Sequence, residues 1–360
     1  MRTPKKLTRR SWLVRTGFLA GATFALGPRT IATPQQYPRD LTASDIARWM
    51  KDLSNWGRWG KEDQAGTVNL ITAQKRRAAA QLVRDGVNVS MSLDAHLPPE
   101  GEEQQSAPPT RGGQEAGRPR YTWQLNTRPP RSVDPNPVAA YVIDNFSVSY
   151  HGNNSTHLDS LAHMYIDGHF YNGFPVSEVT ERGVVKNDVM PYQEGILSRG
   201  VLFDIPRLKN VPYLGEDEPI YPEDLEAWGE KAGFRTEAGD VVFIRTGRWL
   251  HHSETGEDWS LNRATPGLHA SCAQWLHERD IAILGSDVVQ DVRPSRVEGV
   301  NQPLHQLCLI AMGTPLLDNC DLEAVAQAAE QRRRWAFMVT IHPLRIPGAT
   351  GGPVNPIATF

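Results

Sequence analysis

The stretch His151-Gly152-Asn153-Asn154-Ser155-Thr156-His157-Leu158-Asp159-Ser160-Leu161-Ala162-His163 places four ligand-type side chains within thirteen residues, and His169 follows six later. Upstream, Tyr141 to Tyr150 alternates, with Val142, Phe146, Val148 and Tyr150 on one side and Asn145, Ser147 and Ser149 on the other. Such a period of two predicts a half-buried strand. If the chain is extended again after Gly152, His157 and Asp159 lie two apart and project to the same face. An imidazole beside a carboxylate suits a borderline divalent ion such as zinc or manganese. His163 can join that ion, bind a second one, or move a proton next to it. His169, alone in its segment, reads as a structural histidine.

The N-terminus reads as a targeting segment. Thr8-Arg9-Arg10-Ser11-Trp12-Leu13 is a twin-arginine pattern behind Lys5 and Lys6, and Thr16 to Pro28 carries no charge. That uncharged run is shorter than the roughly 20 residues a membrane span requires. A cleaved export signal over residues 1–33 is therefore expected, with cleavage between Pro28 and Gln35 and a periplasmic or secreted mature protein. Residues 1–33 hold seven basic side chains and no acidic ones, so their removal takes the formal net charge from −3 to −10. A chain that acidic offers no electrostatic footprint for nucleic acid or anionic lipid. About 325 residues then remain, read here as one domain over residues 34–360. Three cysteines, Cys272, Cys308 and Cys320, argue against a disulfide framework.

Along the chain, helical spacing over residues 41–56 (Leu41, Ile46, Trp49, Met50, Leu53) predicts a helix capped by Thr42 or Ser44. Asn55-Trp56-Gly57-Arg58-Trp59-Gly60 is too rich in glycine to continue it, and Trp56 and Trp59 are candidates for an aromatic wall over a planar substrate. A helix over 73–83 and a strand over 87–93 follow. Residues 98–137 lose all pattern and read as a long loop or oligomer arm. Strands are expected at 199–204, 239–247 and 281–285, with helices at 221–232 and 270–278 between them. This alternation indicates an α/β fold with a mixed sheet. A helix over 304–311 would carry His305, and an extended piece over 314–317 would deliver Asp318. No Gly-x-Gly-x-x-Gly or phosphate-loop pattern suggests a nucleotide cofactor, and no Gly-x-Ser-x-Gly elbow suggests a serine hydrolase.

The pattern Thr156-His157-Leu158-Asp159-x-x-x-His163 resembles the signature of the metal-dependent cyclase family, which includes bacterial kynurenine formamidases and isatin hydrolases. The likeness extends to Asn55–Asn69, Arg199–Asp204, Gly239–Gly247, Gly285-Ser286-Asp287, Leu304-His305-Gln306, Leu316–Asn319 and Gly348–Val354. It implies a swivelling β/β/α fold, a homo-oligomer (dimer or tetramer), and one or two zinc or manganese ions. The implied reaction is hydrolysis of an amide bond in an aromatic or cyclic small molecule. His157 and Asp159 match metal ligands, His163 the general base, and His305 a ligand of a second site. Asp318 stands where relatives usually carry glutamate, one methylene longer. Asn153 stands where they often carry a histidine, and His151, two residues earlier, is the candidate replacement.

An open divalent site lowers the pKa of its water from about 16 toward roughly 7. A histidine such as His163 can take that proton and return it to the leaving nitrogen. The expected activity is therefore amidohydrolysis of an aryl formamide or of a cyclic amide or imide. Competing readings are a lyase, dehydratase or lactonase on the same fold, and an exported metal- or ligand-binding protein without turnover.

Overall fold

Strand Ile196–Asp204 and its neighbours decide the architecture, because their side chains are buried on both faces. Val201 and Phe203 enter one apolar cluster and Leu202 the other. Val242 and Ile244 oppose Val241 and Phe243 in the same way, Leu284 opposes Ile283, and Leu316 opposes Leu317. Two covered faces explain why these strands read as continuous apolar runs rather than as alternations. Full burial of each such side chain stabilises the fold by about 1.5–3 kcal/mol.

This computed structural model describes residues 37–94, 122–128, 141–153, 155–257, 259 and 264–360. The expected twin-arginine segment and cleavage site, most of the expected 98–137 loop, and Asn154 lie outside the described residues.

The described strands build a nine-stranded mixed sheet, curled into a half-barrel. In chain order its members are β1 (Asn88–Ser90), β2 (His157–Asp159), β3 (Ile196–Asp204), β4 (Val241–Arg245), β5 (Ile283–Ser286), β6 (Leu316–Asp318), β7 (Ala336–Ile341), β8 (Gly351–Pro353) and β9 (Ile357–Thr359). Across the sheet the order is β1-β9-β7-β3-β4-β5-β6-β2-β8. β3, β4, β5 and β6 run parallel, and antiparallel strands complete both sides. Helices Ala43–Asp52, Pro222–Ala232 and Cys272–Glu278 pack Ile46, Trp49, Leu225, Trp228, Trp275 and Leu276 against one face. Helix Glu323–Arg332 and the C-terminal Phe360 cover the other.

Several elements differ from the sequence-based expectation. The first helix stops at Asp52, and Thr42 caps it through a reciprocal pair of bonds with Asp45. Tyr141–Ser147 does not join the main sheet. It pairs with Thr122–Arg128 in a separate hairpin, where Val142 and Phe146 are exposed rather than half-buried. Alternation along the strand is satisfied there by one apolar edge of a two-stranded ribbon, not by a core. The 98–137 loop is interrupted by that same strand. The helix carrying His305 spans only Pro303–Gln306 and loosens into a π-helical turn over Leu307–Met312. Gly313 ends it, since a Cβ there would lie 2.4 Å from the Tyr171 ring.

His269 is expected to contribute to acid sensitivity. It is buried, its Nδ1 lies 2.8 Å from Ser271 Oγ, and its Nε2 has no hydrogen-bond partner among the described residues. Burial, reinforced by the Arg39 and Arg296 cations, pushes this imidazole down to about 4. Between the unfolded value of about 6.5 and this folded value, the unfolded chain binds the extra proton, so stability is complete above that window and lost as pH falls through it. The unfolding free energy of metal-free protein, measured by denaturant titration, should therefore fall between about pH 7 and about pH 5 by on the order of 2 kcal/mol more than that of His269→Gln. Parallel pH profiles of the two proteins would assign the sensitivity elsewhere.

Candidate metal centre

β2 is three residues long and buried throughout. Leu158 enters the second apolar cluster, so His157 and Asp159 project to the opposite side. The antiparallel register with β6 sets Asp318 directly across from His157 and Leu316 across from Asp159. Residues directly opposite share a face, and this brings Asp318 Oδ2 to 4.0 Å from His157 Nε2. On the other flank, Gly351 of β8 faces Asp159, where a Cβ would lie 2.2 Å from the Leu158 carbonyl oxygen. Only glycine lets the tail strand approach this closely. The cluster thus sits where the parallel strand β6 ends, the usual location of sites in open α/β sheets.

Six side chains converge there. His151 Nδ1 lies 3.0 Å and His157 Nε2 3.4 Å from Asp159 Oδ1. His163 Nε2 lies 3.7 Å from Asp159 Oδ2, and His305 Nε2 lies 3.6 Å from Asp318 Oδ2. Two donor groups with ligand atoms within 4.8 Å of one another result: His151, His157 and Asp159, and Asp159, His305 and Asp318. Asp159 belongs to both.

The outward edges of these ligands are already tied. His157 Nδ1 donates to the Ser155 carbonyl at 2.7 Å, leaving Nε2 facing Asp159. His151 Nε2 lies 3.0 Å from Thr350 Oγ1, and its ring packs against Tyr150 at 4.4 Å. His305 Nδ1 is held by Asp291 Oδ2 at 2.7 Å, and Gln290 Nε2 donates to Asp318 Oδ1 at 3.0 Å. Partners of this kind fix tautomer and ring orientation in metal sites. By contrast, both Asp159 oxygens are buried and faced by ring nitrogens, those of His151 and His157 at Oδ1 and that of His163 at Oδ2. A buried carboxylate costs several kcal/mol unless a cation compensates, so the three imidazoles and two carboxylates fit a divalent ion.

Electrostatics separates the roles. Burial alone would raise the Asp159 carboxyl, but the imidazoles of His163, His157 and His151 outweigh it and hold the group below the usual carboxylate range. Burial pushes His163 down to about 4, against the pull of Asp159, so its ring is neutral at physiological pH and able to accept a proton. For His305, burial works against the charged form, yet Asp291 and Asp318 prevail and push it up to about 10. An imidazole in that state would give up its proton on binding an ion. Asp291 also accepts the Leu304 and His305 backbone N–H groups, so it fixes the helix as well as the ring. Asp291→Asn should weaken metal affinity about 10- to 100-fold, measured by competition with a chelator. Unchanged affinity would remove Asp291 from the site.

The structure therefore brings together His151, His157, Asp159, His305 and Asp318, with His163 at their edge. Trp56 and Trp59 lie outside both donor groups. Trp56 Nε1 donates to the Ile310 carbonyl at 2.6 Å, and the Arg58 guanidinium lies 4.7 Å over the Trp59 ring. His169 is exposed and bonds to the Asp167 carbonyl. Asp291, Gln290 and Thr350 escaped the sequence reading. Thr350 lies inside the glycine-rich tail, and Gln290 and Asp291 follow Gly285-Ser286-Asp287, but neither stretch carries spacing that points at His151 or His305.

The Cyclase family model matches residues 87–290 of the chain, more than half its length. This protein belongs to the cyclase family. Its fold agrees with that of a crystal structure described as a novel cyclase, at 28% identity and a TM-score of 0.70, covering 86% of this chain and 98% of that one. Isatin hydrolase A from Ralstonia solanacearum is 19% identical, with a TM-score of 0.49 over 80% of this cyclase and 97% of its own chain. Isatin hydrolase A from Labrenzia aggregata is 20% identical, with a TM-score of 0.48 over 78% of this chain and 96% of its own. No curated protein matches the cyclase sequence.

Proposed function

We propose that this cyclase-family chain is an exported divalent-metal hydrolase that cleaves an amide bond in an aryl formamide or a cyclic amide or imide. The observation carrying this reading is the buried Asp159 carboxylate shared by two donor groups, with the neutral His163 imidazole 3.7 Å away. Zinc or manganese suits a set of three imidazoles and two carboxylates. A divalent ion held there supplies Lewis acidity and brings the pKa of water toward neutrality.

The residues of the chain do the rest. His163 Nε2 takes a proton from the attacking water and returns it to the leaving nitrogen, so a cyclic amide opens to an amine and a carboxylate and a formamide releases formate. Asp159, held ionised by its imidazole neighbours, keeps the charge of the centre fixed during that transfer. Trp56, anchored to the Ile310 carbonyl on a glycine-rich loop, and Trp59 beside it are proposed to receive the planar part of the substrate.

Turnover of metal-loaded protein against aryl formamides, cyclic amides, imides and lactones is the test. The expected product gains one water across a C–N bond, only with metal present. Turnover confined to lactones, products of elimination, or full metal occupancy without turnover on any of these compounds would each overturn the reading.

A further inference from the structure

Arg248 is buried and its guanidinium lies outside both donor groups. Its position is set by the elbow joining β4 to helix Arg248–Thr255. The Asp287 carboxylate accepts the backbone N–H groups of Thr246, Gly247 and Arg248 at 2.9, 2.9 and 3.3 Å, and the Thr246 hydroxyl at 2.8 Å. From that seat the guanidinium reaches across two strands. Nη1 donates to Asn319 Oδ1 at 2.7 Å, and Nη2 donates to the Asn153 carbonyl at 2.9 Å. Asn319 Nδ2 in turn donates to the Gly152 carbonyl at 2.6 Å and the Ser155 carbonyl at 3.2 Å. The Thr156 hydroxyl closes the ring on the Asn319 carbonyl at 2.6 Å.

Beyond the bond that joins Arg248 to Asn319, the contacts of these two residues reach Gly152, Asn153, Ser155 and Thr156, which lie between His151 and His157. His157 needs no such help, because it belongs to β2 and its face is fixed by strand register. His151 lies outside the strand, with a third of its side chain exposed, and approaches Asp159 only if the intervening backbone turns inward. Three carbonyls of that backbone, those of Gly152, Asn153 and Ser155, are captured by one guanidinium and one amide.

We infer that Arg248 and Asn319, seated by Asp287, are positioning residues that clamp the backbone of Gly152, Asn153 and Ser155 so that His151 enters the donor group with His157 and Asp159. This rests on the metal reading of that group. The planar fork is essential to the clamp: a lysine at 248 keeps the charge but cannot reach an amide and a carbonyl at once.

Cobalt(II) titration of the metal-free full-length chain tests the inference, because the visible d–d absorption reports ligand number and geometry. Four proteins are compared: the parent, His151→Ala, Arg248→Lys and Asn319→Asp. The last is isosteric and still accepts from Arg248, and it turns the donor to Gly152 and Ser155 into a carboxylate oxygen that repels both carbonyls, so it breaks the clamp without leaving a cavity. Arg248→Lys and Asn319→Asp should each take on the His151→Ala spectrum and bind cobalt about 10- to 100-fold more weakly, with unchanged far-ultraviolet circular dichroism. A parent spectrum in folded Asn319→Asp, beside a changed one in His151→Ala, overturns the clamp while leaving the metal reading intact. A parent spectrum in His151→Ala shows that His151 is no ligand and overturns the inference by itself. A parent chain that binds no cobalt overturns the metal reading and the inference with it.

Discussion

Asp159→Asn should empty the site. The substitution keeps the side-chain shape but removes the one charge shared by both donor groups, so bound metal should fall to near background while the circular dichroism of the sheet is retained. Turnover should fall by more than about 10²-fold, since removal of a mere outer partner of a ligand already costs 10- to 100-fold. The paired single substitutions sharpen the result. His157→Ala removes a ligand from the first group only and His305→Ala from the second only. If each group holds its own ion, each of these variants loses half the metal that Asp159→Asn loses. If one ion spans the cluster, all three lose the same amount. Elemental analysis of the purified proteins is the measurement, and full occupancy in Asp159→Asn would show that the carboxylate is not a ligand.

His163→Asn should have the second largest effect and a different signature. His163 Nε2 lies 3.7 Å from Asp159 Oδ2, and the residue belongs to neither donor group. Its ring is stacked on that of His151 at 4.1 Å and 22°, close enough to serve the site without completing it. Loss of a general base costs about 10²- to 10⁴-fold in rate, and metal content should stay at the parent level. Metal that falls in proportion to rate would make His163 a ligand. A rate that does not change would make it a bystander.

The sequence alone determined the class of fold and the centre of the site. Strands β3, β4 and β5 are continuous apolar runs entered through glycine or a short turn, and that pattern requires burial on both faces whatever packs there. His157, Leu158 and Asp159 alternate, so the two polar side chains must share a face once the segment is a strand. These are local consequences of backbone geometry and need no knowledge of the rest of the chain. The same local logic misled at Val142 and Phe146, where the alternation is real but the strand lies in a hairpin away from the core.

Tertiary structure decided what joins His157 and Asp159. Asp318 reaches His157 because the β2–β6 register sets them opposite one another, so the shorter carboxylate needs no extra methylene. Register between strands more than 150 residues apart is fixed by apolar packing, as Leu158 and Leu317 are paired in one cluster, and no spacing along the chain encodes it. His151 depends on a loop captured by Arg248 and Asn319, and His305 on a carboxylate, Asp291, that also starts its helix. Each of these partners is an ordinary polar residue in the sequence. It acquires a role only when folding removes water and leaves one neighbour for it to bond.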